Sequence, residues 1–183
     1  VGTTTEGHSD ADNLTIEDSS KAGITIRNTT TTGDGAIFFS DATSGTAEYA
    51  GYIEYGHSTN HLRFATSSAE AMRIDSSGRL LVGRTASVAS GSAADSLVQI
   101  VGKKGVPSDL GQLTIARGNS ASALGSGAEI GEIIFSDNAG ANFAQIQCNT
   151  DGTSGANDNP GRLSFHTTAD GASSPTERLR IDS

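Results

Sequence analysis

The sequence predicts an all-β protein, and two observations lead to that prediction. Pairs of apolar residues separated by one residue recur along all 183 residues, bounded by clusters of Gly, Ser, Asn and Asp. This alternation is typical of short strands with one apolar face. No segment has convincing helical spacing, because the best candidate, SSAEAMRID at residues 67–75, is only about two turns long and reads as at most a short turn before a strand.

The predicted strands follow the same order in two halves of the chain. In the first half they centre on the pairs Leu14/Ile16, Ile24/Ile26, Ile37/Phe39, Ile53/Tyr55, Leu62/Phe64, Met72/Ile74 and Leu80/Val82. In the second half they centre on Val98/Ile100, Leu113/Ile115, Ile133/Phe135, Ile146/Cys148, Leu163/Phe165 and Leu179/Ile181. The offset between matched residues changes only between strands, and the extra residues of the second half fall in segments 118–127, 149–161 and 167–177, whose turn-forming composition tolerates insertions on a surface.

A longer repeat accompanies this order. The string AMRIDSSGRLLVG at Ala71–Gly83 recurs as ERLRIDS at Glu177–Ser183, and the opening VGTT at Val1–Thr4 matches VGRT at Val82–Thr85. Repetition of this kind indicates an array or a shaft and argues against an enzyme with a single pocket.

We therefore predict two tandem β modules, residues 1–81 and residues 82–183, the second with longer loops, and expect them to belong to a longer array. Leu, Ile, Val and Phe together make up 35 residues, Gly accounts for 23, and Trp is absent. A lone module of this composition would bury little apolar surface. The core is expected to be completed between chains, so the sequence predicts an obligate oligomer.

Charge and hydropathy exclude several classes of partner. The formal net charge is −9, from 12 basic and 21 acidic residues, and an acidic surface repels nucleic acid. No apolar run approaches the roughly 20 residues that cross a bilayer, and no signal-peptide pattern is present. The single cysteine, Cys148, excludes an internal disulfide and is predicted to be a small buried hydrophobe beside Ile146.

No catalytic, metal-binding or cofactor-binding residue is predicted. The four histidines are His8, His57, His61 and His166. One histidine per chain could bind a metal on a trimer axis, but His57 and His61 are expected in a solvated hairpin loop. Asp151 and Asp158 lie in a loop of the kind that binds calcium, yet their spacing matches no calcium motif, so an ordinary surface insertion is expected.

The repeated RID element has its own predicted chemistry. Asp75 follows Arg73, and Asp182 follows Arg180, so an Asp–Arg ion pair within or between chains is predicted. The alternative is that the aspartate initiates the turn at SSG.

Tyr52 and Tyr55 belong to a cluster of tyrosines that could stack on sugar rings. Alternation places Tyr55 on the same face as Ile53, where packing explains it, and points Tyr52 to the other face, where it could be exposed.

The motifs also resemble a known family. AEAMRIDSSGRLLVGRT at residues 69–85, its echo TERLRIDS and the opening VGTT resemble the "ERxRIDSSGxxxVGTT" units of phage tail fibre proteins, those of marine podoviruses and myoviruses, cyanophages especially. The paired elements HLRFATSSAEAMRID and RLSFHTTADGASSPTERLRID resemble the same pattern, so the resemblance covers essentially the whole chain as two units. It implies an elongated homotrimeric fibre on the virion, whose partners are copies of itself, neighbouring modules and, through loops, host surface glycans.

The function expected from this resemblance is a structural shaft segment that supports host attachment without catalysis. Some prophage and bacterial surface proteins share the repeat, so a bacterial trimeric adhesin or surface filament is the alternative. A polysaccharide-degrading tail spike is a weaker alternative, because such enzymes need paired carboxylates in a groove usually lined with aromatic residues, and aromatic residues make up only 5% of this chain.

Overall fold

The computed structural model describes residues 14–102, 110–118, 120, 124–155 and 157–183. The opening repeat Val1–Thr4 and His8 lie outside the described residues. The described residues form ten β-strands, and the only helical segments among them are two short 3₁₀ turns, Thr46–Tyr49 and Ser92–Asp95. The prediction of an all-β fold is confirmed.

The chain divides into two compact units, Val1–Gln112 and Leu113–Ser183. The first unit contains sheet A, with strands β1 (Asp34–Phe39), β2 (Gly51–Gly56), β3 (His61–Thr66), β4 (Ala69–Ile74), β5 (Leu80–Val82) and β6 (Val98–Ile100). The second contains sheet B, with strands β7 (Glu129–Ser136), β8 (Asn142–Thr150), β9 (Gly161–Thr167) and β10 (Thr176–Ile181). The predicted module boundary at residues 81/82 was placed where the sequence repeat begins again, and it stays a prediction.

Sheet A is an antiparallel meander from β1 to β5, and β6 then pairs with β5 in parallel. Segment 83–97 makes the crossover between β5 and β6 and is anchored by side chains of the sheet. The Gln99 amide nitrogen donates to the Ala93 carbonyl at 3.0 Å, and Arg79 Nη1 donates to the Ala94 carbonyl at 2.7 Å. These bonds hold the crossover on one face of the sheet.

Sheet B is a four-stranded antiparallel meander in which sequence neighbours are also neighbours in space. The β7–β8 connection is a tight turn in which Asp137 Oδ1 accepts the N–H groups of Ala139 and Ala141, both at 2.9 Å. Gly140 has a φ of 88°, a conformation that glycine adopts without steric cost.

Segment 67–75, the best candidate for a short helical turn, contributes strand β4. Ser67 and Ser68 form the two-residue connection from β3, with φ values of 51° and 61°. Two positive φ angles suit the right-handed twist of a hairpin, although Asn and Gly adopt them more readily than Ser. Ser68 compensates through its hydroxyl, which donates to the Thr46 carbonyl at 2.7 Å.

Three predicted strands lie outside the sheets, namely those containing Leu14/Ile16, Ile24/Ile26 and Leu113/Ile115. Two of these segments contribute side-chain packing instead of backbone pairing. Ile26 packs over Gly35, and Ile115 packs over Gly131. Each glycine lacks a Cβ and so leaves room for the isoleucine side chain. The prediction of strands there was wrong because alternation alone does not distinguish a paired strand from a packed extended segment.

The RIDSSG repeat forms the turn between β4 and β5. Asp75 Oδ1 accepts the N–H groups of Ser77 and Arg79 at 2.9 and 3.0 Å, and its Oδ2 pairs with the Arg79 guanidinium at 2.7 Å. Gly78 supplies the positive φ of 76° that the turn requires. The aspartate therefore both initiates the turn and forms an ion pair, but its partner is Arg79.

Within the chain, Asp75 forms its ion pair with Arg79 and not with the nearby Arg73, which binds Glu70 through two hydrogen bonds of 2.5 Å. A pairing between chains stays a prediction. The pairing of Asp182 with Arg180 is confirmed, at 3.0 Å between the carboxylate and Nε.

We predict that Asp75→Asn lowers the free energy of unfolding by about 1–2 kcal/mol at pH 7, because the amide cannot reproduce the charged contact with Arg79. Burial raises the pKa of Asp75, but the Arg79 side chain and the Arg79 and Ser77 N–H groups together hold that pKa below 3.8. The stabilisation is therefore complete above about pH 4 and is lost as the pH falls through the lowered pKa.

Urea denaturation of both proteins from pH 7 to pH 2, at one chain concentration, measures this difference. The matched control is Asp170→Asn in the exposed β9–β10 loop, which should change little. A deficit for Asp75→Asn that is no larger than the control's, or that grows at low pH, would contradict the prediction.

We also predict that Ser67→Asn raises the free energy of unfolding by up to about 1 kcal/mol, since asparagine tolerates the left-handed region better than serine. Thermal denaturation monitored by circular dichroism measures the gain. Ser76→Asn, in a turn but not at a positive φ, is the control. An equal change in both variants would show that the hairpin conformation is not the cause.

Candidate assembly interface

Both sheets segregate apolar from polar side chains onto opposite faces. The alternation along each strand and the cross-strand register together define these faces. The apolar face of sheet A consists, in its four-stranded meander, of Ile37, Phe39, Ile53, Tyr55, Leu62, Phe64, Met72 and Ile74. The apolar face of sheet B consists of Ile133, Phe135, Ile146, Cys148, Leu163, Phe165, Leu179 and Ile181.

The two apolar faces have the same cross-strand rows. In sheet A, one row runs Ile37, Ile53, Phe64 and Met72. In sheet B, the corresponding row runs Ile133, Ile146, Phe165 and Leu179. The residues matched along the sequence therefore occupy equivalent positions in their sheets.

Each apolar face is covered only in part within its unit, by Ile26 over Gly35 in sheet A and by Ile115 over Gly131 in sheet B. Among the described residues, four apolar side chains are buried: Tyr52, Ala65, Leu81 and Leu124. By contrast, 23 large hydrophobic side chains are exposed, and nine of them belong to the two apolar faces. Folded chains normally expose apolar residues singly, so contiguous rows of this kind mark a surface for association.

The polar face of sheet A is the covered one. Glu54 is only 6% exposed and pairs with Arg63 on the next strand, while Arg63 lies 4.0 Å from Glu70. Glu70 in turn binds Arg73, and this hydrogen bond raises the pKa of the Arg73 guanidinium. The four charged side chains thus compensate one another across three strands, as groups removed from water must.

Tyr52 and His61 both lie on this covered face, contrary to the sequence predictions. Tyr52 is buried against Phe38, with ring centroids 5.8 Å apart, and beneath the Arg63 guanidinium. His61 begins β3, packs over Gly56 and contacts the Thr59 hydroxyl at 2.6 Å. Burial, followed by the nearby charges of Arg73 and Arg63, lowers the pKa of His61.

The difference has one physical reason. Alternation places Tyr52 and His61 on the face opposite Ile53 and Tyr55 but does not determine which face the chain covers. Tyr55 is 39% exposed, and the opposite face is covered. His57 does lie in the predicted turn, with its ring against that of Tyr55 at 4.9 Å.

Sheet B is covered mainly at one end. On its polar face Ser164 is 2% exposed and Asn149 is buried, while Glu132 and Arg180 are exposed. Thr150, which follows Cys148 on the apolar side, is also buried, and its hydroxyl donates to the Gly125 carbonyl at 2.7 Å and accepts the Ala128 N–H at 2.8 Å. Segment 124–128 therefore folds onto the C-terminal end of β8.

The remaining candidate residues occupy separate places in sheet B. The Asp151 carboxylate accepts the Ser183 N–H at 3.1 Å and lies 3.4 Å from Arg162 Nη1, and these contacts lower its pKa. The groups that contact the Asp151 carboxylate are hydrogen-bond donors. Asp158 does not join them and forms a backbone bridge with Gly155. Cys148 is a free, half-buried thiol of the apolar face, opposite Leu163.

The extent of each face can be compared with that of a standard interface. With strands about 4.8 Å apart and about 3.3 Å per residue, the four-stranded meander of sheet A offers roughly 380 Å² and that of sheet B roughly 475 Å². A standard protein–protein interface buries about 800 Å² on each partner. Each face therefore amounts to roughly half of one side of such an interface.

Comparisons with protein-family models and with curated proteins find no match to this sequence. Over the described ranges, no helix has the length and hydrophobicity needed to span a bilayer. Within the same ranges, no three His, Cys, Asp or Glu side chains are grouped so that they could bind a metal ion.

Sequence reasoning missed the charged cluster of Glu54, Arg63, Glu70 and Arg73. Its signal was present, because Glu54 and Arg63 alternate with the apolar residues of their strands and must share the opposite face. What alternation does not reveal is which of the two faces the rest of the chain covers.

We predict that Ile133→Asp abolishes self-association, while Ile134→Asp leaves it unchanged. The two isoleucines are adjacent in β7 and nearly equally exposed, at 45% and 43%, but only Ile133 belongs to the apolar face. A carboxylate in a buried interface costs at least about 3 kcal/mol, which weakens association about a hundredfold or more. Sedimentation velocity measures the change, and equal effects of the two substitutions would contradict the assignment of the interface.

Proposed function

We propose that this chain is a structural segment of the shaft of a viral tail fibre, that it assembles as a homotrimer, and that it has no catalytic role. The observation that carries the proposal is that both sheets leave much of an apolar face open, with nine large apolar side chains exposed on the two faces. A shaft formed by several chains around one axis accounts for that arrangement, because each chain supplies one wall of a shared core.

The tandem organisation of the shaft is part of this proposal. Support comes from the equivalent rows of the two apolar faces and from the equivalent packing of Ile26 on Gly35 and of Ile115 on Gly131. Modules that stack along an axis contribute stability one after another, so a long rod can be extended by repetition.

The RIDSSG motif supports the same interpretation. Its Asp75, Gly78 and Arg79 have structural roles in a turn, through backbone hydrogen bonds, a positive φ and an ion pair. A motif whose conspicuous residues form a turn is suited to repetition along a scaffold, since each copy reproduces the same connection between strands.

The location that follows is the virion, outside the host cell, with loops directed towards host surface glycans. A bacterial surface filament built from the same repeat would use the same faces. The genes that neighbour this one distinguish the two origins, because tail and capsid genes accompany a viral fibre.

The proposal predicts a solution mass near 56 kDa, three times the 18.6 kDa of the chain. Because the association is driven by apolar burial, the mass should persist in 1 M NaCl, where charge-driven contacts are screened. Light scattering coupled to size-exclusion chromatography measures it. A folded monomer at micromolar concentration would refute the proposed assembly.

A further inference from the structure

The two edges of sheet B carry complementary charge. In the described part of the chain, β7 pairs only with β8, and β10 pairs only with β9. Strand β7 carries Glu129 and Glu132, whereas β10 carries Arg178 and Arg180 together with the single acid Glu177. The Arg117 side chain donates to the Glu129 carbonyl, and the rest of each edge is a template for pairing with another chain.

The cross-strand register aligns the two edges. Glu132 is paired with Gln147, Gln147 with Ser164, and Ser164 with Arg180, so Glu132 and Arg180 are the two ends of one row across the polar face. The adjacent row, from Ile133 to Leu179, belongs to the apolar face. A second copy joined edge to edge without a shift would continue both rows.

We propose that β10 of one chain pairs antiparallel with β7 of the next, with Arg180 beside Glu132, so that three copies of sheet B close around a common axis. This inference rests on the proposed homotrimer and adds to it the edges and the register. The strand directions permit it, because β7 and β10 run in opposite directions in the four-stranded meander.

The width of the sheet favours three copies. Four strands at about 4.8 Å give a wall roughly 19 Å wide, and a triangle of three such walls has its centre about 5.5 Å from each wall. Packed sheets lie about 10 Å apart, so side chains from one wall extend about 5 Å. The apolar faces of three walls therefore fill the centre, while four walls, with a centre about 9.6 Å away, would leave a cavity.

Charge disfavours the symmetric alternative. Pairing of β7 with β7 across a twofold axis would bring the Glu129 and Glu132 edges of two chains together, and like charges on facing strands are destabilising. Pairing of β10 with β7 is head to tail, and such contacts generate closed rings. Sheet A lacks this arrangement, since its edges β1 and β6 differ in length and run in the same direction.

The arginine remains available for the partner. Arg180 is 42% exposed and lies 3.6 Å from Glu177 and 3.0 Å from Asp182, both of which are exposed as well. Exposed ion pairs of this kind contribute little and rearrange readily. Glu132 accepts a hydrogen bond from Gln145 through Oε2, which leaves its other carboxylate oxygen for a guanidinium.

Disulfide trapping tests the proposal. In a Cys148→Ser background, the pair Glu132→Cys and Arg180→Cys should form a disulfide between chains under mild oxidation. Within one chain these positions are three strand spacings apart, about 14 Å, which is too far for a disulfide. Non-reducing electrophoresis should therefore show covalent dimers and trimers, and reduction should return the single chain.

The matched control replaces Ile134 and Arg180 by cysteine, two residues out of register along the same face, and should crosslink at least tenfold more slowly. A protein that has the mass of three chains but forms no Glu132→Cys/Arg180→Cys crosslink, or crosslinks the control pair faster, overturns the edge pairing alone. A folded protein that stays monomeric overturns the proposed function as well.

Discussion

The structure depends on one constraint, which is that strands β2, β3 and β4 of sheet A place their charged side chains on one face, and the chain covers that face. Covering that side requires Glu54, Arg63, Glu70 and Arg73 to pair with one another across strands, because an unpaired charge removed from water is costly. The apolar side is then packed only in part within its own unit, by Ile26 in the first unit and by Ile115 in the second. In the proposed assembly, burial of the rest of that side would provide the driving force that the interior of each unit lacks.

This arrangement explains why so few apolar residues can specify so many strands. In a self-contained domain, core residues must fill an interior enclosed by the same chain, and a composition low in Leu, Ile, Val and Phe would leave that interior too small. In a shared core, each strand needs apolar side chains on only one of its two faces. Ion pairs and the crossover segment stabilise the polar face of sheet A. The separation of the two faces fixes the strand register, because a shift by one residue would exchange them.

The alternation of apolar residues was sufficient to predict the strands that pair, from Ile37/Phe39 to Leu179/Ile181, and also which side chains share a face. It did not predict that the Leu14–Ile16, Ile24–Ile26 and Leu113–Ile115 segments would stay unpaired, because pairing depends on a partner backbone elsewhere in the chain. Likewise, RIDSSG indicated an aspartate-initiated turn, but Arg79 rather than Arg73 binds Asp75, because Arg79 closes the same turn while the Arg73 guanidinium is bound by Glu70.

The sequence by itself determined the all-β class, the order of the strands and the chemistry of the RIDSSG turn, because these follow from local periodicity and from short-range backbone geometry. Only the tertiary structure decided which face each sheet leaves open. In the first unit that choice depends on segments distant in sequence, because segment 83–97 folds onto the polar face of sheet A, whereas Ile26 covers only the Gly35 end of the apolar face. Tyr52 and His61 are accordingly buried on the covered face, while Ile37 on the other face is exposed.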